Sequence, residues 1–140
     1  MSENQKKIWI TGASSGIGKA LAEKFALEGW KVAISARRKE ILDEMAKREN
    51  ISSYPLDVTN QNQIKDVFSK IINDFEELDL CVFSSGTYDP KLEQEINIKQ
   101  NKFVMETNFF GVLYCIKTVE KYFKDKKKGH ISIVSSIAAY

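Results

Sequence analysis

The stretch that decides the fold is Thr11-Gly12-Ala13-Ser14-Ser15-Gly16-Ile17-Gly18. It follows the apolar run Ile8-Trp9-Ile10 and opens Lys19-Ala20-Leu21-Ala22-Glu23-Lys24-Phe25, which carries a helical pattern. Strand, glycine-rich turn and helix, in that order, make a cradle for a dinucleotide pyrophosphate. Gly12 supplies the positive φ of a tight turn. Gly16 has no Cβ, so backbone can approach the phosphates, and Gly18 lets the helix pack close to the sheet. The helix N-terminus then offers free N–H groups and a positive dipole end to an anion. The spacing is G-x-x-x-G-x-G. The complete octet in this context carries the signal; glycine spacing alone would be weak.

Working outward, apolar runs alternate with amphipathic segments. Residues 6–11, Lys31–Ser35, 53–56, 80–84 and 131–135 read as five strands. Residues 17–28, 39–48, 60–75 and 102–126 read as helices, with Ile41, Leu42 and Met45 on one face of the second. Ile64, Val67, Phe68, Ile71 and Ile72 form one face of the third. Gly29 punctuates the end of the first helix. Residues 87–101 form a polar segment. Strands with little polar alternation, separated by helices, predict a parallel sheet covered on both faces. Right-handed crossovers favour strand order 3-2-1-4-5, with a crevice at the carboxyl ends of strands one and four.

The chain has 140 residues, a formal net charge of +2, 43% hydrophobic and 29% charged residues. That is one domain with one core. The near-neutral charge argues against nucleic acid or an anionic membrane as partner. The basic run from Lys124 to Lys128 suits a helix C-terminus. The polar start and the short apolar stretch behind it predict a cytoplasmic protein. Cys81 and Cys115 sit in apolar runs without metal-ligand spacing, and no metal site is expected; both read as buried, reduced thiols.

The octet resembles the short-chain dehydrogenase/reductase family, and the match runs in order to the end of the chain. The resemblance implies a Rossmann-like α/β fold and hydride transfer between a nicotinamide cofactor and an alcohol or carbonyl. It makes residues 1–140 a dinucleotide-binding domain whose cofactor site includes Gly12, Ser14, Ser15, Gly16, Ile17 and Gly18.

The tip of the second strand reads Ser35-Ala36-Arg37-Arg38, with no acid to take a ribose 2′-OH. A guanidinium fork there suits a 2′-phosphate. In the family an arginine at the Arg37 position reads as a preference for NADP over NAD. Ser14 adds a hydroxyl nearby. Arg38 is open to either reading, phosphate contact or solvated side chain. Asp57, with Val58 beside it, is assigned by resemblance to the adenine amino group. Asp57-Val58-Thr59-Asn60 also reads as a turn and helix cap, and both can hold. After the fourth strand the family carries Asn-Asn-Ala-Gly. Here the sequence is Phe83-Ser84-Ser85-Gly86, which keeps only Gly86, a close-approach position for the nicotinamide ribose.

Asn108 is a poor helix-interior residue. By resemblance it shapes the long helix and anchors a water in a proton relay; Gly111 three residues on completes the pattern. Ser136 aligns with the family's catalytic serine, whose hydroxyl polarises the substrate carbonyl. His130 stands at the opposite end of the sheet and receives no catalytic role. The family's tyrosine, with a lysine four residues later, belongs beyond the serine. Tyr140 is too close to Ser136 and is not read as that tyrosine. The expectation is therefore a family member truncated after the fifth strand, ending on an unpaired apolar edge. The long helix, with Phe103, Phe109, Leu113, Ile116 and Phe123, would serve a homo-dimer or homo-tetramer interface by analogy. The rival expectation is a complete, non-catalytic dinucleotide-binding or interaction module.

Overall fold

Lys7–Thr11 (β1) is buried at every position but its first, as a central strand between two helical layers requires. The computed structural model describes residues 4–88 and 90–136. The other strands are β2 (Lys31–Ser35), β3 (Ile51–Ser53), β4 (Leu80–Phe83) and β5 (His130–Ile133). All pair parallel, in the order β3-β2-β1-β4-β5. The chain has the Rossmann-like α/β architecture that its sequence predicts. Tyr140 and the first three residues of the polar start lie outside the described residues.

Side chains alternate across β1. Ile8 and Ile10 join Val32, Ile34, Leu42, Met45 and Val82 on one face, under α1 (Gly16–Leu27) and α2 (Lys39–Met45). Trp9 points the other way. It joins Ile64, Ile71, Phe75, Cys81, Cys115, Val119 and Phe123 under α3 (Gln61–Phe75) and α5 (Gly111–Lys126). Helix α1 ends where Gly29 takes φ +88°. The Gly29 and Trp30 amides bond back to Ala26 and Phe25, which satisfies the last-turn carbonyls.

Three elements differ from the sequence reading. The third strand lies at Ile51–Ser53, ahead of the expected 53–56. Ile51 is the buried partner of Val32. The Tyr54 and Leu56 amides still bond to Ile34 and Ala36, but Pro55 has no N–H to continue the ladder. The long helix begins four residues before its expected start, as α4 (Ile98–Met105), because the Asn97 side chain accepts from the Gln100 amide at 3.0 Å. It then passes through one wide π turn, Glu106–Phe110, before α5. The polar segment therefore holds the first turn of α4 and a short 3-10 turn, Pro90–Glu93. Ile116 and Phe123 pack into the core, so only Phe103, Phe109 and Leu113 of the proposed interface face are exposed. Among the described residues, no helix is long and apolar enough to cross a membrane.

Burial pushes the Cys115 thiol up to about 12 from an ordinary 9.0. Burial, with Cys115 adding to it, pushes Cys81 upward as well. The folded chain thus keeps protons that an unfolded chain starts to release near pH ~8.5. This contribution to stability is complete below that value and is lost as pH rises toward the folded value. Urea midpoints should fall across that alkaline window, less steeply in a Cys115→Ala variant. Neither thiol should react with a disulfide reagent in the folded chain, and rapid modification without denaturant would contradict the burial.

Candidate functional site

The glycine-rich turn is held by backbone on both sides. Gly12 takes φ +65°, and the Ala13 amide donates to the Ser35 carbonyl at the tip of β2. A Cβ on Gly12 would collide with the Ser84 carbonyl in the turn after β4, and its gap to the Ser85 nitrogen would be 2.8 Å. A Cβ on Gly18 would strike the Gly12 carbonyl. Gly18 therefore closes the turn on itself, a more local role than the sheet contact expected from sequence. Thr11 completes the frame: its hydroxyl accepts from the Ser84 amide at 3.3 Å.

Gly16 is different. It takes φ +55°, and nothing lies within 4 Å of where its Cβ would be. Ser15 is the N-cap of α1, yet its side chain makes no capping bond, and the first turn carries no acidic residue. Helices α3 and α4, by contrast, are capped by Asn60 and Asn97. The first amides of α1 thus receive no bond from the Ser15 side chain, and no acid stands in the first turn, an arrangement suited to an anion. Ile17 stands exposed beside them.

At the tip of β2, Arg38 donates to the Ser14 hydroxyl at 3.1 Å. The guanidinium of Arg37 lies 5.7 Å from the centre of the Phe103 ring on α4. Neither arginine pairs with a carboxylate among the described residues. Between β3 and α3, one carboxylate oxygen of Asp57 accepts from the Thr59 amide at 3.0 Å and the Thr59 hydroxyl at 2.8 Å. Asn60 caps α3 through the Gln63 amide. Asp57 therefore makes the local turn through that single oxygen. Val58 is buried, and a Cβ on Gly111 would come within 2.6 Å of its methyl. Helix α5 thus begins directly against the segment that joins β3 to α3.

Asn108 sits in the π turn and clamps the loop after β4. Its carbonyl oxygen accepts from the Thr87 amide at 2.7 Å, and its amide donates to the Thr87 carbonyl at 2.8 Å. Glu106, at the start of the same turn, accepts from the Tyr114 hydroxyl at 2.8 Å, which raises that hydroxyl's pKa. A Cβ on Gly86 would lie 3.6 Å from the Asn108 carbonyl oxygen, an ordinary contact distance. Phe83, where the family pattern has an asparagine, turns into the core. Its ring meets Trp9 edge-on at 5.9 Å, and Trp9 donates to Ser35 at 2.9 Å. Ser136 is exposed just past β5, whose end is tied in by the Val134 amide to the Phe83 carbonyl.

The sequence reading gives no role in this site to Thr11, Thr87 or Phe103. Thr11 could have been noticed as a hydroxyl beside the glycines; nothing local marks the other two. Tyr122 and Lys126 have a tyrosine-to-lysine spacing of four, but Tyr122 accepts from the Leu78 amide ahead of β4, at the amino end of the sheet. That end also holds a cavity of about 600 Å³ between Gln5, Lys6, Glu28, Trp30 and Asn50. Gln5 already bonds Gly29 and Asn50 there.

The three glycines should separate by their surroundings. Gly16→Ala should cost about 1–2 kcal/mol of stability, the strain of a left-handed residue. Gly12→Ala and Gly18→Ala should cost more, because backbone must move. Urea denaturation checks this; equal costs would remove the distinction.

The family model described as short chain dehydrogenase matches residues 6–140. An uncharacterized oxidoreductase of Staphylococcus haemolyticus is 32% identical over 133 residues, which cover 93% of this chain and 58% of that protein. A dehydrogenase/reductase SDR family protein 7-like of Dictyostelium discoideum is 33% identical, over 98% of this chain and 47% of its own length. A short-chain dehydrogenase from Streptomyces avermitilis superposes with a TM-score of 0.88 at 27% identity, covering 96% of this chain and 50% of that one. ElxO, solved with NADP bound, gives 0.87 at 32% identity, covering 95% and 56%. The chain spans about half the length of these relatives. With its octet, strand order and nearly all of its length matched, it belongs to the short chain dehydrogenase family.

Proposed function

We propose that the chain binds NADP(H) and serves hydride transfer between that cofactor and an alcohol or carbonyl compound. The observation that carries this reading is the uncapped, acid-free N-terminus of α1 beside an arginine pair that no carboxylate among the described residues neutralises. The open position at Gly16 fits a phosphate, since a side chain there would stand in otherwise empty space. ElxO, at 32% identity, supports the choice of NADP over NAD.

In this reading the first amides of α1, at Gly16, Ile17 and Gly18, hold the pyrophosphate, with Gly12 and Ser15 shaping the turn. Arg37, Arg38 and Ser14 hold the 2′-phosphate. Asp57 and Val58 flank the adenine, and Gly86 lies toward the nicotinamide ribose. When bound, the nicotinamide supplies the hydride chemistry; the protein orients and polarises. Ser136 hydrogen-bonds the substrate oxygen. Asn108 fixes the loop after β4 and anchors the water of a proton relay. The exposed Phe109 and Leu113 are the face we assign to a homo-dimer or homo-tetramer.

A second reading, a dinucleotide-binding module without turnover, draws on Phe83, whose ring is committed to Trp9 where the family has an asparagine. Turnover separates the two. NADPH consumption with a panel of carbonyls, lost in Ser136→Ala, supports the enzyme; nucleotide binding without consumption supports the module.

The cofactor assignment has its own test. Arg37→Asp should weaken NADPH binding at least tenfold and leave NADH binding nearly unchanged, since a charge-assisted bond is replaced by repulsion. Titration by energy transfer from tryptophan to the reduced nicotinamide measures both. Equal losses for the two nucleotides would sink the 2′-phosphate role.

A further inference from the structure

Two adjacent arginines follow β2, and they are held in different ways. Arg38 is tied by a hydrogen bond to Ser14 in the glycine-rich turn. Arg37 makes no ion pair among the described residues; its partner is the face of Phe103, with 5.7 Å from guanidinium carbon to ring centre. The contact joins residues 66 positions apart, from the loop after β2 to the helix after β4.

The packing of α4 does not explain why Phe103 is there. Helix α4 buries none of its residues, and Phe103 is 37% exposed. Yet its position is fixed from both sides. The Asn97 cap sets where α4 starts. The approach of Gly111 to Val58 and the pair of hydrogen bonds between Asn108 and Thr87 hold the following turns. The ring stands on a helix whose place is set elsewhere.

A guanidinium on an aromatic face keeps what a carboxylate partner would take away. The ring attracts the cation through its π face and accepts no conventional hydrogen bond, so the N–H groups stay free to donate. A carboxylate would occupy those donors and neutralise the charge. We propose that Phe103 is a positioning residue for Arg37, holding the guanidinium over its ring so that the N–H donors stay available to the 2′-phosphate of NADP(H). Phe103 then acts on nucleotide selectivity without touching the reacting atoms. A long side chain that is already ordered loses less freedom when the phosphate arrives. This inference rests on the 2′-phosphate role proposed for Arg37.

The test measures NADPH and NADH dissociation constants on the full chain for Phe103→Leu, Phe103→Ala and Phe103→Tyr, each alone and with Arg37→Ala. Phe103→Leu and Phe103→Ala should raise the NADPH constant about two- to fivefold, the range of an exposed cation–π contact, and leave NADH unchanged. Phe103→Tyr keeps the ring and should keep the selectivity. With Arg37→Ala present, the Phe103 changes should have no further effect. Four results would overturn the proposal. One is unchanged or tighter NADPH binding by Phe103→Leu. Another is equal losses for both nucleotides, which would mark a structural role for the ring. A third is failure of Phe103→Tyr to restore selectivity. The last is an undiminished effect of the Phe103 changes with Arg37→Ala present. If Arg37→Asp alone fails to separate NADPH from NADH, the phosphate reading falls and takes this inference with it. If Arg37→Asp separates them and the Phe103 variants do not, only this inference falls.

Discussion

The turn after β1 and the turn after β4 meet backbone to backbone, and the site depends on that contact. Two carbonyls set the geometry. The Ser84 carbonyl lies where a Cβ of Gly12 would be, and the Gly12 carbonyl lies where a Cβ of Gly18 would be. Glycine at both positions lets the chain fold back tightly enough to start α1 directly above β1. The strand order makes this meeting possible, because β1 and β4 are neighbours at the point where that order reverses. The Thr11 hydroxyl on the Ser84 amide and the Ala13 amide on Ser35 then tie the turn to its two flanking strands. An uncapped helix N-terminus is the product of this frame.

Much of that frame was legible in the sequence because it rests on residue types with few alternatives. Glycines at 12, 16 and 18, apolar runs of strand length and helical spacing at Ile64, Phe68, Ile71 and Ile72 all follow from local sterics and burial. The strand order followed from the handedness of crossovers. The third strand was misplaced because Ser53-Tyr54-Pro55-Leu56 alternates well, while the pairing partner of Ile51 lies on a distant segment. The start of α4 was missed because an asparagine cap at Asn97 looks, in sequence, like more of a polar loop.

The candidate site was legible only in part, for a different reason. Arg37 and Ser14 could be suspected from their own neighbourhoods. What each side chain touches could not. Asp57 reads equally as ligand and as turn former, and in the structure one of its oxygens serves Thr59. Arg38, the arginine for which a solvated role was also open, bonds Ser14, while Arg37 reaches Phe103, 66 positions later in the chain. Long-range partners of flexible side chains leave no periodic trace.

The departure at Phe83 shows how the frame accommodates a change of side chain. An asparagine at this position would bring polar groups into a place filled by the Trp9 ring and its apolar neighbours. Phe83 is buried against Trp9, and Trp9 in turn stacks on Phe68 at 6.1 Å and satisfies its N–H on Ser35. Buried aromatic pairs add to the area they remove from water, and the indole N–H, the polar atom of these three rings, is paired. The backbone of the turn, not the side chain at position 83, then carries the contact to β1: the Ser84 amide on Thr11 and the Ser84 carbonyl on Gly12 both belong to the main chain. Side-chain identity can drift at this point of the sheet while the crevice keeps its shape, because the atoms that define it are backbone atoms.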